Sequence, residues 1–230
     1  MKCIAEEIKQ YTDEFLYQIK RCEDYYGAYE MLDNVYHEYN KGICIAKDFF
    51  SVTREALLNS MMMELIKLYD KHKDAITIKK FFDKCSSSPD YCKFFRENEK
   101  IGNYNEIIKS FDDFLTEATT ITTLKNLIAR RDGYYMHNDG QNNRGISSGS
   151  DEESENNKKY FFCLDSLVEK YPFSFDEVKN LLSEAKSFCL ALYKLVTDED
   201  WSPSIHQGHR LEHIMDFSGL QKLLAAVKLD

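Results

Sequence analysis

Apolar residues recur at spacings of three and four along most of the chain, which is the pattern of helices that bury one face. Residues 3–38 show this pattern first, and they continue as an aromatic stripe that we interpret as core packing rather than as a ligand platform. Residues 43–70 carry apolar side chains over more than half of a helical circumference, so this helix is predicted to pack against several neighbours.

Shorter elements are predicted between residues 70 and 124. They are a helix capped by Thr77 that runs through Phe82, a loop over 83–89, a helix over 89–100, a turn at Gly102-Asn103 and a helix over 104–117. The threonine run at 119–123 is expected to interrupt the helical pattern, with Thr122 or Thr123 as the N-cap of the next helix.

That next stretch, Leu124 to Gly140, begins as an amphipathic helix and ends in a polar cluster. Residues 138–159 follow it with one large apolar side chain, Ile146, and are therefore expected to form a flexible surface loop. Beyond the loop, Ser174 and Glu177 have the spacing of a capping box, which predicts a helix through about Val196.

Composition supports helices throughout. Only 3 Pro and 9 Gly occur in 230 residues, too few for the frequent turns of an all-β protein. We therefore predict one all-α helical-bundle domain over residues 1–230, with a core at about 43–197 and a C-terminal extension over 198–230. The net charge of −9 argues against a surface that coats nucleic acid along its whole length, but it leaves room for a local basic site.

The seven cysteines are scattered and lack metal-binding or redox spacing. Free thiols in a reducing cytoplasm are therefore expected, because no secretory signal precedes them. No apolar run approaches the roughly 18 residues of a membrane span, so no membrane partner is expected.

The polar cluster concentrates residues suited to RNA chemistry. Metal-free RNA cleavage needs a group that moves the proton of the 2′-hydroxyl, and histidine titrates in the right range. It also needs a cation for the phosphate, and arginine is always charged and presents a fork to phosphate oxygens. The candidate residues are Arg130, Arg131, Asp132, His137, Asn138 and Asp139.

These residues resemble a known signature. Arg131-Asp132, followed by His137 and Asn138-Asp139, is similar to the arginine–histidine motif of HEPN domains. The segment Leu124 to Asp139 also resembles the "LRnlRDk…AHxD" pattern of the AbiU-type abortive-infection branch. Upstream, Glu55 to Asp70 resembles that branch's "…LxxLxRLyD" helix, which ends in the same aspartate and precedes a short helix, here Ile76 to Phe82. The resemblance spans roughly residues 45–200.

The resemblance implies a HEPN-type all-α fold and a homodimer whose two motifs face each other. It implies metal-independent endoribonuclease activity in phage defence or toxin-type growth arrest, with Arg131 and His137 as the catalytic pair. RNA is then the substrate, and no metal or cofactor is expected. Supporting or RNA-binding roles fall to Arg130, Asp132, Asn138 and Asp139. The alternative is a catalytically inactive RNA-binding or regulatory module that works with a partner protein from a defence operon.

Helix geometry leaves the choice of arginine open. At about 100° per residue, Arg131 lies about 120° from His137, whereas Arg130 lies within about 20° of it. Arg131 instead shares the direction of the apolar residues Leu124 and Ile128. A structural alternative is that Arg131 is a buried arginine bound to a carboxylate such as Asp132 or Asp139.

Two other clusters of polar residues are more typical of surface loops than of functional sites. His206, His209 and His213 have spacings that a metal site could use, with Glu212 and Asp216 as further ligands. Gly208 argues against a stable helix there, so a polar surface loop is the favoured interpretation. The acidic residues 151–155 are expected to be solvated.

Overall fold

The computed structural model describes residues 4–38, 47–70, 76–135 and 170–202. These ranges contain helices and no strand, which confirms the predicted all-α class. The described helices are α1 (Ile4–Glu38), α2 (Lys47–Tyr69), α3 (Ile78–Ser87), α4 (Pro89–Glu97), α5 (Ile101–Thr116), α6 (Ala118–Tyr135) and α7 (Phe175–Thr197). The predicted loop over 138–159 and most of the C-terminal extension lie outside the described residues.

Helix α1 is 35 residues long and packs along both α2 and α7. Its apolar face is buried, and α7 contributes a matching buried face, because both helices repeat apolar residues at helical spacing. The aromatic stripe is core packing as predicted, since Tyr29 is buried and Tyr25 and Tyr26 pack against the core. The central buried residues are Ile8, Phe15, Leu16, Ile19, Leu181, Ala185, Phe188 and Leu192.

Only the C-terminal half of α2 is as buried as predicted. Met61, Leu65 and Leu68 are fully buried between α1 and the neighbouring helices. In the N-terminal half, Phe49 is 64% exposed and Val52 is 66% exposed. The apolar side chains of α2 therefore cover a wide arc of the helix, but only those in the half that ends at Tyr69 are buried in the core.

The predicted loop over 83–89 is wrong, because α3 continues to Ser87 and buries Cys85. Thr77 caps α3 as predicted, accepting a hydrogen bond from the Lys80 amide. Ser88 alone separates α3 from α4. Its amide donates to the Lys84 carbonyl, and its hydroxyl accepts from the Tyr91 amide with Pro89 in the first turn.

Two predicted interruptions are also helical. Gly102 and Asn103 lie in the first turn of α5, where the buried ring of Tyr104 fixes the helix in the core. The threonine run lies inside α6, and Thr120 and Thr123 are buried there. Thr123 donates its hydroxyl hydrogen to the Thr119 carbonyl, so a buried hydroxyl is satisfied within the helix.

The start of α7 agrees with the capping-box prediction in detail. The Ser174 hydroxyl accepts from the Glu177 amide at 3.1 Å, and the Glu177 carboxylate accepts from the Ser174 amide at 2.5 Å. The hydrogen bond from the Ser174 amide lowers the pKa of Glu177.

After α7, the chain passes back across α1. Trp201 donates its indole N–H to Asp13 at 2.8 Å, and its ring meets the Tyr17 ring edge-on at 5.5 Å. No helix in the described ranges is long and apolar enough to cross a bilayer.

Removing the cap of α7 should destabilise the protein. Ser174→Ala deletes the hydroxyl acceptor, and we expect the free energy of unfolding to fall by about 1 kcal/mol in urea titrations. Ser174→Asp keeps a hydrogen-bond acceptor at this position, so it should lower the free energy of unfolding by less than half as much as Ser174→Ala does. Equal stability of the alanine variant and the wild type would contradict a stabilising cap.

The buried thiols should resist alkylation. Burial raises the pKa of Cys85 to about 12 and raises the pKa values of Cys22 and Cys189 well above the usual range. Because the thiolate is the reactive form, iodoacetamide at pH 8 should modify the partly exposed Cys92 before the buried Cys22, Cys85 and Cys189. Peptide mass spectrometry of the native protein over time measures this order, and guanidinium-denatured protein is the control in which the difference should vanish.

Candidate functional site

The candidate site lies toward the C-terminal end of α6, next to the end of α2. The apolar side of α6 holds it in the bundle, because Leu127 is fully buried and Leu124 and Ile128 pack against the core. Helix α6 contacts α2, α5 and α7 through this side. Arg130 and Arg131 are consecutive on α6, but their side chains make contacts with different parts of the chain.

Arg131 binds two carboxylates. Its Nη1 lies 2.6 Å from Oδ2 of Asp70, the residue directly after α2. Its Nε lies 2.8 Å from Oδ1 of Asp132, the next residue on α6. The Arg131 side chain is 20% exposed and that of Asp70 is 24% exposed, so this pair is shielded from solvent more than a surface ion pair. We call Asp70, Arg131 and Asp132 the Arg131 cluster.

The electrostatics of the Arg131 cluster favour a charged guanidinium. Burial lowers the pKa of Arg131, but the hydrogen bonds to Asp132 and Asp70 outweigh it, and the net result is a raised pKa. With both carboxylates ionised, the three formal charges sum to −1. Asp70 also stands beside the negative end of the α2 dipole, so the Arg131 cation stabilises it there.

Arg130 contacts the segment that leads into α7. Its Nε donates to the Tyr171 carbonyl at 2.7 Å, and its guanidinium lies 3.9 Å from the centre of the Phe173 ring. Asn126, one turn earlier on α6, donates to the Pro172 carbonyl at 2.6 Å. Burial lowers the pKa of Arg130. These contacts hold the approach to α7 against α6.

The structure therefore separates the two arginines that the sequence left in competition. The predicted contact between Arg131 and the Asp132 carboxylate is present, whereas the roles of both arginines stay predictions. His137, Asn138 and Asp139 lie outside the described residues, so the pairing of either arginine with His137 stays a prediction.

The histidines at 206–213 and the acidic residues 151–155 also lie outside the described residues. In the described ranges, no group of three or more His, Cys, Asp or Glu residues is placed to hold a metal.

Sequence reasoning missed three partners of the two arginines. Asp70 ends the α2 segment that resembles the family pattern, yet nothing in that segment predicts a contact with a residue 61 positions away. Phe173 and the Tyr171 carbonyl were likewise not foreseen as partners of Arg130. The available signal was that the first resembling segment ends in a charged residue, Asp70, directly after a long helix.

Arg130 should contribute measurably to stability. Arg130→Ala removes a charged hydrogen bond and a cation–π contact, and we expect the free energy of unfolding to fall by about 1–3 kcal/mol. Arg130→Lys keeps the charge but not the planar stacking, so it should recover less than half of the loss. Arg96→Ala, at an exposed position on α4, is the matched control and should change stability by less than about 0.5 kcal/mol in the same urea titration.

Comparison with known protein families matches residues 1–217 to HEPN_AbiU2, described as AbiU2. No curated protein and no solved structure shows significant similarity to the chain. The matched range includes the residues of the Arg131 cluster and both segments that resemble the family, which end at Asp70 and Asp139. The chain belongs to the AbiU2 family of HEPN domains, a family associated with abortive infection.

Proposed function

We propose that this protein is a metal-independent endoribonuclease that acts in phage defence by abortive infection, or in toxin-type growth arrest. Arg131 and His137 form its catalytic pair. The observation that carries the proposal is the Arg131 cluster, in which an arginine of the HEPN motif is held by a carboxylate of its own helix and by one that directly follows α2. Catalytic cations act best when their geometry is fixed before the substrate arrives, and this arrangement fits that requirement.

The proposed reaction is an internal displacement at phosphorus. The 2′-hydroxyl oxygen bonds to the neighbouring phosphorus, and the bond from phosphorus to the 5′-oxygen breaks. The products are a 2′,3′-cyclic phosphate and a free 5′-hydroxyl. His137 accepts the proton that leaves the 2′-hydroxyl. The departing 5′-oxygen takes up a proton, either from the protonated imidazole or from water. Arg131 stabilises the negative charge that builds on the phosphate oxygens.

The substrate is proposed to be single-stranded or loop RNA, because its bases and 2′-hydroxyls are accessible. A chain with a net charge of −9 attracts RNA poorly over its whole surface, so recognition must be local. A homodimer would bring two Arg131–His137 pairs together at one composite site, which is why we include dimerisation in the proposal.

A second candidate function is a catalytically silent RNA-binding or regulatory module, which works with a partner protein. One observation favours it specifically. The two carboxylates of the Arg131 cluster outweigh the arginine by one charge, so a phosphate must compete with them for the guanidinium.

Cleavage of RNA without metal separates the two candidates. Wild type, His137→Ala and Arg131→Ala are incubated with total tRNA in EDTA, and products are resolved on denaturing gels. We expect wild-type cleavage, and a loss of about 100-fold or more in each variant, because each lacks one half of the proposed catalysis. His37→Ala, a histidine outside the motif, is the control and should cleave like wild type.

Two outcomes would contradict the enzyme proposal. Equal cleavage by wild type and His137→Ala would place the activity elsewhere or in a contaminant. No cleavage by any of the proteins, together with retained binding of the same tRNA in gel-shift assays, would favour the silent module.

A further inference from the structure

The contact between Asp70 and Arg131 joins the ends of two helices that are far apart in the chain. Asp132 lies next to Arg131 on α6 and moves with it, and its side chain is 47% exposed. Asp70 directly follows α2, so of the two carboxylates it is the one that connects the guanidinium to the end of another helix. The two contacts therefore differ in kind, although both are short ion pairs.

The backbone that carries Asp70 is held firmly in the core. Leu68 and Tyr69, the last residues of α2, are buried. The Tyr69 hydroxyl donates to the Leu181 carbonyl on α7 at 2.8 Å. Asp70 follows directly, so its carboxylate is supported by the packed interior rather than by a loose surface turn. Support of this kind is what keeps a functional side chain in one orientation.

The two carboxylates accept hydrogen bonds from different nitrogens of the guanidinium. Nε donates to Asp132, and Nη1 donates to Asp70. Neither of these two contacts uses Nη2, so we expect its two N–H donors to be the ones that meet an incoming oxygen. A phosphate that binds there meets a guanidinium already oriented on two sides.

We propose that Asp70 is a positioning residue for Arg131, which holds its guanidinium with Nη2 directed at the scissile phosphate. This inference rests on the proposed ribonuclease function. Asp70 has two opposite effects on the reaction. It raises kcat because it fixes the cation that stabilises the transition state, and it weakens phosphate binding because its own charge repels the substrate.

The test separates these effects with charge-neutral and charge-retaining variants. Asp70→Asn removes the charge and weakens the contact, so kcat should fall about 10-fold or more while KM falls about two- to fivefold. Asp70→Glu keeps a carboxylate and should recover part of kcat. Asp132→Asn makes the same change in charge without removing the contact between helices, so its fall in kcat should be smaller. Asp83→Asn, an exposed α3 carboxylate paired with Lys79, should leave both constants unchanged.

A second measurement does not depend on activity. The Arg131 Nε–H signal in nitrogen–proton NMR, assigned with Arg131→Lys, reports the order of the guanidinium on the ps–ns timescale. We expect a rigid signal in wild type and Asp83→Asn, and a lower order parameter in Asp70→Asn. Circular dichroism establishes that each variant is folded, and Asp70→Ser replaces Asp70→Asn if the latter is not.

The outcomes distinguish this inference from the function on which it rests. If wild type cleaves no RNA, the proposed function fails and the positioning of Arg131 is decided by NMR alone. A wild-type kcat in Asp70→Asn overturns the inference. A kcat above that of the wild type also overturns it, because Asp70 would then slow the reaction. An unchanged Arg131 order parameter overturns it as well, because any loss of kcat would then arise elsewhere.

Discussion

The structure depends on the burial of one long helix, α1, against α2 and α7. This burial fixes the end of α2, because Leu68 and Tyr69 are part of the same core and Tyr69 binds the backbone of α7. The position of Asp70 follows from that of Tyr69, and the orientation of Arg131 follows from Asp70. The candidate site thus depends on the core, although its own residues are only partly buried. Leu68, Tyr69 and Asp70 therefore connect the core around α1 to Arg131.

The sequence predicted the features that depend on interactions between residues close together in the chain. Helical spacing located α1, α2 and α7, and the capping box located the first residue of α7, because such signals lie within a few residues of one another. The predictions failed where packing outweighs local preference. The threonines of α6 and Gly102 of α5 are poor helix formers, yet buried neighbours such as Leu127 and Tyr104 keep both segments helical.

The site was predictable only in part, for a related reason. Resemblance identified Arg131 and Asp132, and it also included Asp70, but as the end of a separate segment. The contact between Asp70 and Arg131 joins residues from different helices, and no periodicity reports such a distance. The helical phase of Arg131 correctly suggested a side chain that faces away from bulk solvent. The helical phase did not predict that the Arg131 side chain would contact a carboxylate rather than an apolar surface.

The contact of Trp201 with α1 has a practical consequence for studies of this protein. Trp201 is the single tryptophan of the chain, and its indole lies between the Asp13 carboxylate and the Tyr17 ring. Its emission therefore reports one defined event, the departure of the segment after α7 from the surface of α1. Because α1 organises the core, this native fluorophore gives an optical record of unfolding without an added label.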